Sequence, residues 1–349
     1  MPIYLHERYA KDIDQKFTLE SLLAGKCSTK YTFEGVKTVN ISTIVPQALN
    51  DYTRSGANRY GTPKEVEDTI QSLTLGNDQA FSMTVDKGNN TEQQAIKNAG
   101  AVLKVEMEEI VIPTVDTVAI RKWTKFAGKV ATVTAKLTKS TVLPEIVNAR
   151  THFVNNKIKM SMGNIYLGVP ASTYALLLQT TEFVQADKLN EKVLSNGVVG
   201  KVFNMLVVEI PDDYFEEGVQ FIVWKADAVL MPKKLWDTKV HMDPPGLSGH
   251  LLEGRFIYDA FVLAEKAQGV YACVLNTNKL ATPTITTSGK TIACSGATTI
   301  MYTNDGSDPR YSKSAKVYST AYEASSGDVI KAVGMADGKF TSDVAEAKQ

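Results

Sequence analysis

The side chains that could bind a metal ion or act as acids and bases are scattered along this sequence. The four histidines are His6, His152, His241 and His250. Neither a His-Glu-x-x-His motif nor the paired-cysteine spacing of a zinc site occurs. His241 and His250 come nearest to a cluster, and the Pro-Pro-Gly segment between them is typical of a bend that links two strands. We therefore predict structural roles for the histidines and no metal site.

Nucleophilic, nucleotide and calcium chemistry also lack their motifs. The three cysteines, Cys27, Cys273 and Cys294, are an odd number at wide spacing, which predicts neither a disulfide framework nor a zinc site. No Gly-x-Ser-x-Gly elbow, phosphate-binding loop or dinucleotide fingerprint occurs. The oxygen-rich segment Asn304–Asp308 lacks the distal glutamate of a helical calcium loop, so a turn is expected there. The sequence thus predicts no enzyme, no catalytic residue and no cofactor.

Length, charge and hydropathy narrow the remaining classes of protein. A chain of 349 residues exceeds what one core usually serves, so we expect a main body and one smaller module. Lys and Arg together number 38, as do Asp and Glu, and this neutrality disfavours a protein that reads nucleic acid. The N-terminus lacks the apolar core of a secretory signal, and no apolar run approaches the ~20 residues of a membrane span. We expect a soluble protein made in a cytoplasm.

The first 88 residues are predicted to form two extended features with little core of their own. The pattern of Tyr4–Leu23 suggests an arm, residues 1–30, that covers its apolar edge on a neighbour. Alternation in Thr38–Val45 and again in Ala80–Val85 predicts the two strands of a long hairpin within 31–88. A solvated loop is one interpretation of its charged tip, and a contact with another chain is the other. The tip residues predicted to make that contact are Arg54, Arg59, Tyr60, Lys64 and Glu65.

Helical periodicity begins after the hairpin. Thr91 and Gln94 have the spacing of a capping box, and an apolar stripe with steps of three and four follows until Pro113 stops it. The stripe consists of Ile96, Ala99, Leu103, Met107 and Ile110. A second helix is predicted to start near Pro144, because proline suits the first turn of a helix.

The rest of the body is predicted to interleave strands with a short helix. We expect a strand at Asn164–Val169, two strands around a turn at Asn204, and buried strands at Phe221–Met231 and Tyr258–Ala264. The irregular order of these elements indicates an α+β fold and argues against a regular βαβ fold.

The order of an arm, an extended hairpin, a capped long helix and a mixed α/β block resembles that of the Hong Kong 97-type major capsid proteins of tailed bacteriophages. The segments that carry the resemblance include Tyr52–Gly56, Leu75–Asp86, Ile112–Lys122, Asn164–Pro170 and Asp259–Tyr271. In those proteins the counterpart of Ile112–Lys122 leaves the spine helix for the peripheral domain.

The resemblance covers about four fifths of the chain and implies a domain organisation. It places an N-terminal arm at 1–30, an extended loop at 31–88, the spine helix and peripheral domain at 89–142, the axial domain core at 143–211, and axial and peripheral strands that close the fold at 212–278.

The composition changes at Asn276–Thr282, where Thr, Ser, Gly and Ala become frequent and no helical period remains. The segments Met301–Pro309, Ile330–Gly334 and Gly338–Ala345 resemble the small immunoglobulin-like β-sandwich appended to chitobiases. We therefore predict an immunoglobulin-like domain at 279–349. The residues expected to face its core are Tyr302, Ile330, Ala332 and Val344.

These resemblances imply a structural subunit that assembles into pentamers and hexamers and forms the icosahedral or prolate shell of a phage head. The implied partners are copies of itself, portal, scaffolding and decoration proteins, and packaged DNA bound without sequence preference, with no membrane. The C-terminal domain is expected to project from the outer surface of the virion, where it either decorates the shell or binds bacterial surface glycans weakly. Shells of a chain that ends near Ala281 are then expected to lack surface knobs.

Two alternatives remain open from the sequence. An encapsulin-like cellular compartment would share the capsid fold and would hold a cargo enzyme instead of DNA. A secreted glycan-binding or glycan-cleaving protein is suggested by the last domain alone. It would need a secretion signal and usually a pair of carboxylates across a cleft, and neither is identified in the sequence.

Overall fold

The computed structural model describes residues 21–33, 36–47, 49–63, 65–66, 68–88, 99–160, 164–180 and 198–349. Some sequence predictions therefore lie outside the described residues. They are the arm over residues 1–20 with His6, the capping box of Thr91 and Gln94 with the first stripe residue Ile96, and the contribution of Lys64 to the hairpin tip.

Strands and helices alternate irregularly along the described chain. The first half contains β1 (Thr38–Ile44), β2 (Asp68–Thr74), β3 (Asn77–Asp86), α1 (Ala99–Glu106), α2 (Ile112–Lys125), β4 (Lys129–Val133), α3 (Val142–Asn155), β5 (Ile165–Pro170) and α4 (Ala171–Leu177). The rest of the body contains β6 (Val198–Val202), β7 (Met205–Ile210), β8 (Val219–Lys225), β9 (Val229–Leu230), β10 (Lys233–Met242), β11 (Gly249–Tyr258), β12 (Phe261–Val262) and β13 (Val270–Leu275). The C-terminal part contains β14 (Thr284–Thr286), β15 (Thr291–Ala293), β16 (Thr299–Thr303), β17 (Lys316–Val317), β18 (Val329–Met335) and β19 (Ala345–Lys348).

The extended hairpin consists of β1 and β2, which pair antiparallel from Thr38 opposite Thr74 to Ile44 opposite Asp68. Ala80–Val85 is a strand, as predicted, but it is not the return strand of this hairpin, because those residues lie in β3. Strand β3 pairs with β11 in a three-stranded sheet of order β10-β11-β3. Alternation identifies a strand from a few neighbouring residues, whereas its partner depends on residues far away in the sequence.

The long helix does not stop at Pro113. Helix α1 leads into a π-helical turn at Met107–Val111, and α2 continues from there to Lys125. Ile112 keeps helical backbone angles, with φ of −62° and ψ of −51°. Proline is tolerated there because the π turn interrupts the regular bonding pattern and Pro113 falls in the first turn of α2. The prediction that Ile112–Lys122 leaves the helix is therefore wrong.

A six-stranded sheet of order β4-β13-β8-β5-β7-β6 lies at the centre of the body. Helix α2 covers one face through Ala119, Ile120 and Trp123, which belong to one buried cluster. Helices α3 and α4 cover the other face, where Ile146 and Phe153 belong to a second cluster. Every residue of β5 is buried, as expected for a strand covered on both faces.

Several local predictions in this region are confirmed. Helix α3 begins at Val142, two residues before Pro144. The turn between β6 and β7 has positive φ angles at Phe203 (47°) and Asn204 (70°), which is the geometry of a tight two-residue hairpin turn.

The segment before the hairpin packs on the body of its own chain. Leu22 and Leu23 lie in the buried cluster that contains Trp224, whose indole N–H donates to the carbonyl of Lys26 at 3.0 Å. The prediction that this apolar edge covers a neighbour is therefore wrong for residues 21–30.

Within 279–349, the range predicted for the C-terminal domain, the structure has two small sheets, β14-β15 and β17-β16-β18-β19. The domain's own buried cluster consists of Ile292, Tyr302, Tyr322, Ile330 and Ala332. Three of the four predicted core residues are thus confirmed. Val344 is only partly buried and lies outside the cluster.

Candidate functional site

The extended hairpin carries more exposed large apolar side chains than any other part of the described chain of similar length. Within the described residues, eight of the sixteen exposed large hydrophobic side chains lie between positions 36 and 70. They are Val36, Ile44, Val45, Leu49, Tyr52, Tyr60, Val66 and Ile70. Leu49 is fully exposed (101%) and Tyr60 is 85% exposed. Apolar side chains grouped on a protrusion are typical of a surface that contacts another chain.

The tip of the hairpin is shaped by its own turns. The N–H of Thr53 donates to the carbonyl of Arg59 at 3.0 Å. The rings of Tyr52 and Tyr60 meet edge to face, with their centroids 5.0 Å apart. The guanidinium of Arg59 donates to the carbonyl of Gly56 at 3.2 Å, so part of the arginine is used to close the turn. These contacts hold the two aromatic rings together on the exposed tip.

The structure gives the position of four of the five residues predicted to make assembly contacts. All four are exposed and lie between β1 and β2, on the tip of the hairpin and on the segment that leads from it to β2: Arg54, Arg59, Tyr60 and Glu65. Both signs of charge and an aromatic ring are therefore presented together. Their role as assembly contacts stays a prediction.

The base of the hairpin is fixed to the body. The buried amide of Gln71 donates to the carbonyl of Val262 at 2.9 Å and accepts from the N–H of Ala264 at 2.9 Å. Leu73 and Leu75 lie in a buried cluster together with Phe33, Leu230 and Leu263. A fixed base with an exposed tip presents that tip in a defined direction.

A buried carboxylate joins the end of the hairpin to the long helix. Asp259 is almost completely buried and forms an ion pair with Lys122 of α2. It also accepts hydrogen bonds from the N–H of Gly76, at 2.8 Å, and of Ala260, at 2.7 Å. These donors compensate for the burial of the charge. Because Gly76 lies between β2 and β3, this carboxylate fixes the hairpin relative to the helix.

Sequence analysis missed a second buried carboxylate, Asp116 in α2. It accepts hydrogen bonds from the hydroxyl of Ser21 at 2.9 Å and from the N–H of Leu22 at 2.8 Å. Burial raises the pKa of this carboxyl. The available signal was its spacing, because Asp116 lies three residues before Ala119 and seven before Trp123, on the buried face of the helix.

His241 and His250 lie in the two strands of a second long hairpin, β10 and β11. Strands β10 and β11 pair antiparallel, and the Pro-Pro-Gly segment forms the bend between them, as predicted. His241 lies 3.4 Å from Glu253 on the neighbouring strand. Among the residues that the structure describes, no group of three or more His, Cys, Asp or Glu side chains is arranged to hold a metal ion.

The cysteines and the oxygen-rich segment likewise take part in local structure. All three cysteines are free, and burial raises the pKa of Cys273 to about 12. Asp305 accepts hydrogen bonds from the hydroxyls of Ser307 and Ser314, at 2.5 and 2.6 Å, and so stabilises the predicted turn. No helix in the described ranges is long and apolar enough to cross a membrane.

The extended hairpin, the long helix beneath a three-stranded sheet and the central α/β sheet together form the capsid fold of tailed phages. Solved structures show the likeness. The structure of Mycobacterium phage Che8 matches with a TM-score of 0.63 and 15% identity, over 78% of this chain and 97% of that chain. The mature capsid of bacteriophage PhiM1 matches with a TM-score of 0.60 and 14% identity, over 78% and 92% of the two chains. The predicted Hong Kong 97-type fold is confirmed.

A head structure gives the same result. The head structure of Helicobacter pylori bacteriophage KHP40 matches with a TM-score of 0.54 and 13% identity, over 78% of this chain and 95% of that chain. The remaining fifth of the chain is about the size of the C-terminal domain. A family model described as Fn3 associated matches residues 291–348, in agreement with the predicted immunoglobulin-like domain. No curated protein matches the sequence.

Proposed function

We propose that the chain is the shell-forming subunit of a bacteriophage head and that it encloses the packaged DNA in the virion. The observation that carries this proposal is the likeness of the fold, over 78% of the chain, to the mature capsid of PhiM1 and to the head structure of KHP40. The exposed hairpin supports it independently, because its apolar side chains are covered only when another chain packs on them.

In this proposal the subunits form pentamers and hexamers. The central sheet with α3 and α4 lies toward the middle of each capsomer, and the long helix with the three-stranded sheet lies toward its edge. The hairpin of each subunit packs on an adjacent copy. The resulting interface belongs to the permanent class, which buries roughly 2,000 to 5,000 Å².

Further partners follow from the same role. A portal protein and a scaffolding protein assist assembly, and DNA is held without sequence preference. The equal numbers of basic and acidic residues support a container, because a strongly basic lining would bind nucleic acid before packaging. Decoration proteins and bacterial surface glycans are proposed partners of the outer surface, and no residue is assigned a catalytic role.

Sedimentation and electron microscopy of particles from the producing cells test the function. We expect closed shells of megadalton mass that contain genome-length DNA. A stable monomer of 38.1 kDa at high concentration would contradict the proposal. Shells that contain a cargo enzyme and no genome would replace the phage head with an encapsulin-like compartment.

Two hairpin variants test the proposed contact. In the first, Tyr52–Pro63 is deleted, and in the second the same residues are replaced by a Gly-Ser linker of equal length, which keeps the reach of the loop and removes its side chains. We expect both variants to fold and to lose shell yield and heat resistance. Normal shells from both variants would show that the tip makes no essential contact.

A further inference from the structure

Side chains of the C-terminal domain bind four consecutive main-chain carbonyls at the end of α2. The pairs are Thr341 Oγ1 with Lys125 O (3.1 Å), Tyr311 Oη with Phe126 O (2.6 Å), Arg310 Nη1 with Ala127 O (2.8 Å) and Arg310 Nη2 with Gly128 O (3.4 Å). The carbonyls of Lys125 and Phe126 close the helix, where carbonyls lack intrahelical partners, and those of Ala127 and Gly128 belong to the short connection to β4. Two hydroxyls and one guanidinium therefore supply donors to a row of main-chain acceptors.

Two cations at this junction are buried and paired. The side chain of Arg310 is 6% exposed and lies 2.7 Å from Asp308. The side chain of Lys279 is 7% exposed, donates to the carbonyl of Val130 at 2.7 Å and lies 2.6 Å from Asp343. Val130 belongs to β4, the edge strand of the central sheet, so Lys279 covers an edge carbonyl that would otherwise need water.

The junction is also apolar. Tyr311 and Phe340 are 8% and 1% exposed, and both belong to the main cluster of the body and not to the cluster of the C-terminal domain. Separating the domain from the body would therefore uncover aromatic rings and take from Arg310 and Lys279 the main-chain carbonyls that they bind, which is unfavourable. The contact is permanent in character.

The loop that carries Arg310 and Tyr311, residues 308–313, also reaches the hairpin. The N–H of Lys313 donates to the carbonyl of Ile70 in β2 at 2.9 Å, and Ser312 forms an isolated β-bridge with Gln71. The side chain of Gln71 is itself bound to the body through Val262. Loop 308–313 of the C-terminal domain therefore contacts the end of the long helix and the base of the hairpin at once.

We propose that the C-terminal domain is an internal brace, in which loop 308–313 joins the end of the long helix to the base of the hairpin and sets the direction in which the hairpin leaves the body. Each subunit then carries its own stabilising module. The brace follows from contacts within one chain, and only its consequence for shells rests on the function proposed above.

Hydrogen exchange of the full-length protein tests the brace. Tyr311→Phe removes one hydroxyl and keeps the ring, and Arg310→Ala removes the buried cation. Lys316→Ala is the matched control, because Lys316 is a basic residue of the same domain whose ion pair with Glu323, at 2.9 Å, is exposed. The amides to follow are those of Lys313 and of β2.

We expect Arg310→Ala to accelerate exchange at these amides by about tenfold or more, because a buried charged donor is lost. Tyr311→Phe should accelerate it several-fold, and the control should leave it unchanged. Unchanged exchange in Tyr311→Phe and Arg310→Ala, or an equal acceleration in the control, would overturn the brace. If Arg310→Ala does not fold, Tyr311→Phe still decides the question.

Calorimetry and particle measurements separate the two proposals. The wild-type chain should show a single unfolding transition, and an independent transition of the C-terminal domain would overturn the brace. Shells of Tyr311→Phe should be less resistant to heat or more variable in diameter than wild-type shells. A chain that shows the exchange effects and never forms particles would retain the brace and contradict only the shell function.

Discussion

Lys122 of the long helix forms an ion pair with Asp259, which directly follows β11 of the three-stranded sheet. The carboxylate of this pair is almost completely buried. The same carboxylate accepts the N–H of Gly76 at 2.8 Å. One side chain therefore connects the helix, the sheet and the end of the hairpin.

We predict that Asp259→Ala lowers the free energy of unfolding by about 3 kcal/mol, because it removes a charged acceptor and leaves the N–H groups of Gly76 and Ala260 without their partner. Urea unfolding measures the change. Lys122→Ala should also lower the free energy of unfolding, because it leaves the almost completely buried Asp259 carboxylate without its counter-ion while both N–H donors stay bound. A loss much smaller than that of Asp259→Ala would show that the N–H donors, and not the ion pair, dominate.

The exposed apolar tip leads to a prediction about assembly. Leu49→Ser should leave the free energy of unfolding of the subunit within about 0.5 kcal/mol, because the side chain is fully exposed. If a neighbour buries Leu49, the lost contact is worth about 1.5 to 3 kcal/mol, and the concentration needed for assembly should rise about tenfold or more. Light scattering over a concentration series measures this threshold.

Val317→Ser is the control for that experiment. Val317 is also apolar and 64% exposed, and it lies in the C-terminal domain, far in sequence from the hairpin. It should leave the assembly threshold unchanged. A shift of the same size in both variants would indicate a general effect of surface hydrophobicity.

The buried Asp116 gives a pH dependence with a defined sign. Burial raises the pKa of its carboxyl in the folded state, so the folded state binds the proton more tightly than the unfolded state. The contribution to stability is present below the ordinary aspartate pKa of about 3.9 and is lost as the pH rises through the raised folded value. The free energy of unfolding of the wild type minus that of Asp116→Asn should therefore fall as the pH rises above about 4.

Asp78 provides the comparison of opposite sign. The hydrogen bond from Arg255 lowers the pKa of the exposed Asp78 carboxyl. Its contribution is present above the ordinary pKa and is lost as the pH falls, so Asp78→Asn should change the pH profile slightly and in the other direction. Chemical unfolding at several pH values distinguishes the two. A wild-type advantage over Asp116→Asn that rises with pH would contradict the burial effect.

The sequence predicted local structure well where one residue controls it. Pro144 marked the first turn of α3, and Asn204 marked a turn that needs positive φ. The prediction that the helix stops at Pro113 is wrong, because a proline is tolerated after a widened turn. No residue pattern indicated the π turn at Met107–Val111.

Partners in space were harder to predict than elements. The alternation of Ala80–Val85 correctly indicated a strand but assigned it to the wrong hairpin. The apolar edge of Leu22 and Leu23 was also correctly recognised as needing cover, yet the cover comes from the same chain. The hydrophobic pattern indicates that a surface must be buried, but only the three-dimensional structure shows which residues cover it. The assembly role of the residues at the hairpin tip stays a prediction for the same reason.

The contacts of the C-terminal domain change the result expected for a chain that ends near Ala281. A projecting decoration could be removed without loss, but this truncation removes Tyr311 and Phe340 from the main core and uncovers the carbonyls from Lys125 to Gly128. Loss of two buried aromatic rings costs about 3 to 5 kcal/mol for each ring, which is comparable to the whole stability of many domains. We therefore expect the truncated chain to be recovered mainly as aggregate, with few or no shells. Soluble yield, thermal unfolding and electron microscopy measure this, and intact, heat-resistant shells of normal yield would restore the domain to a dispensable decoration.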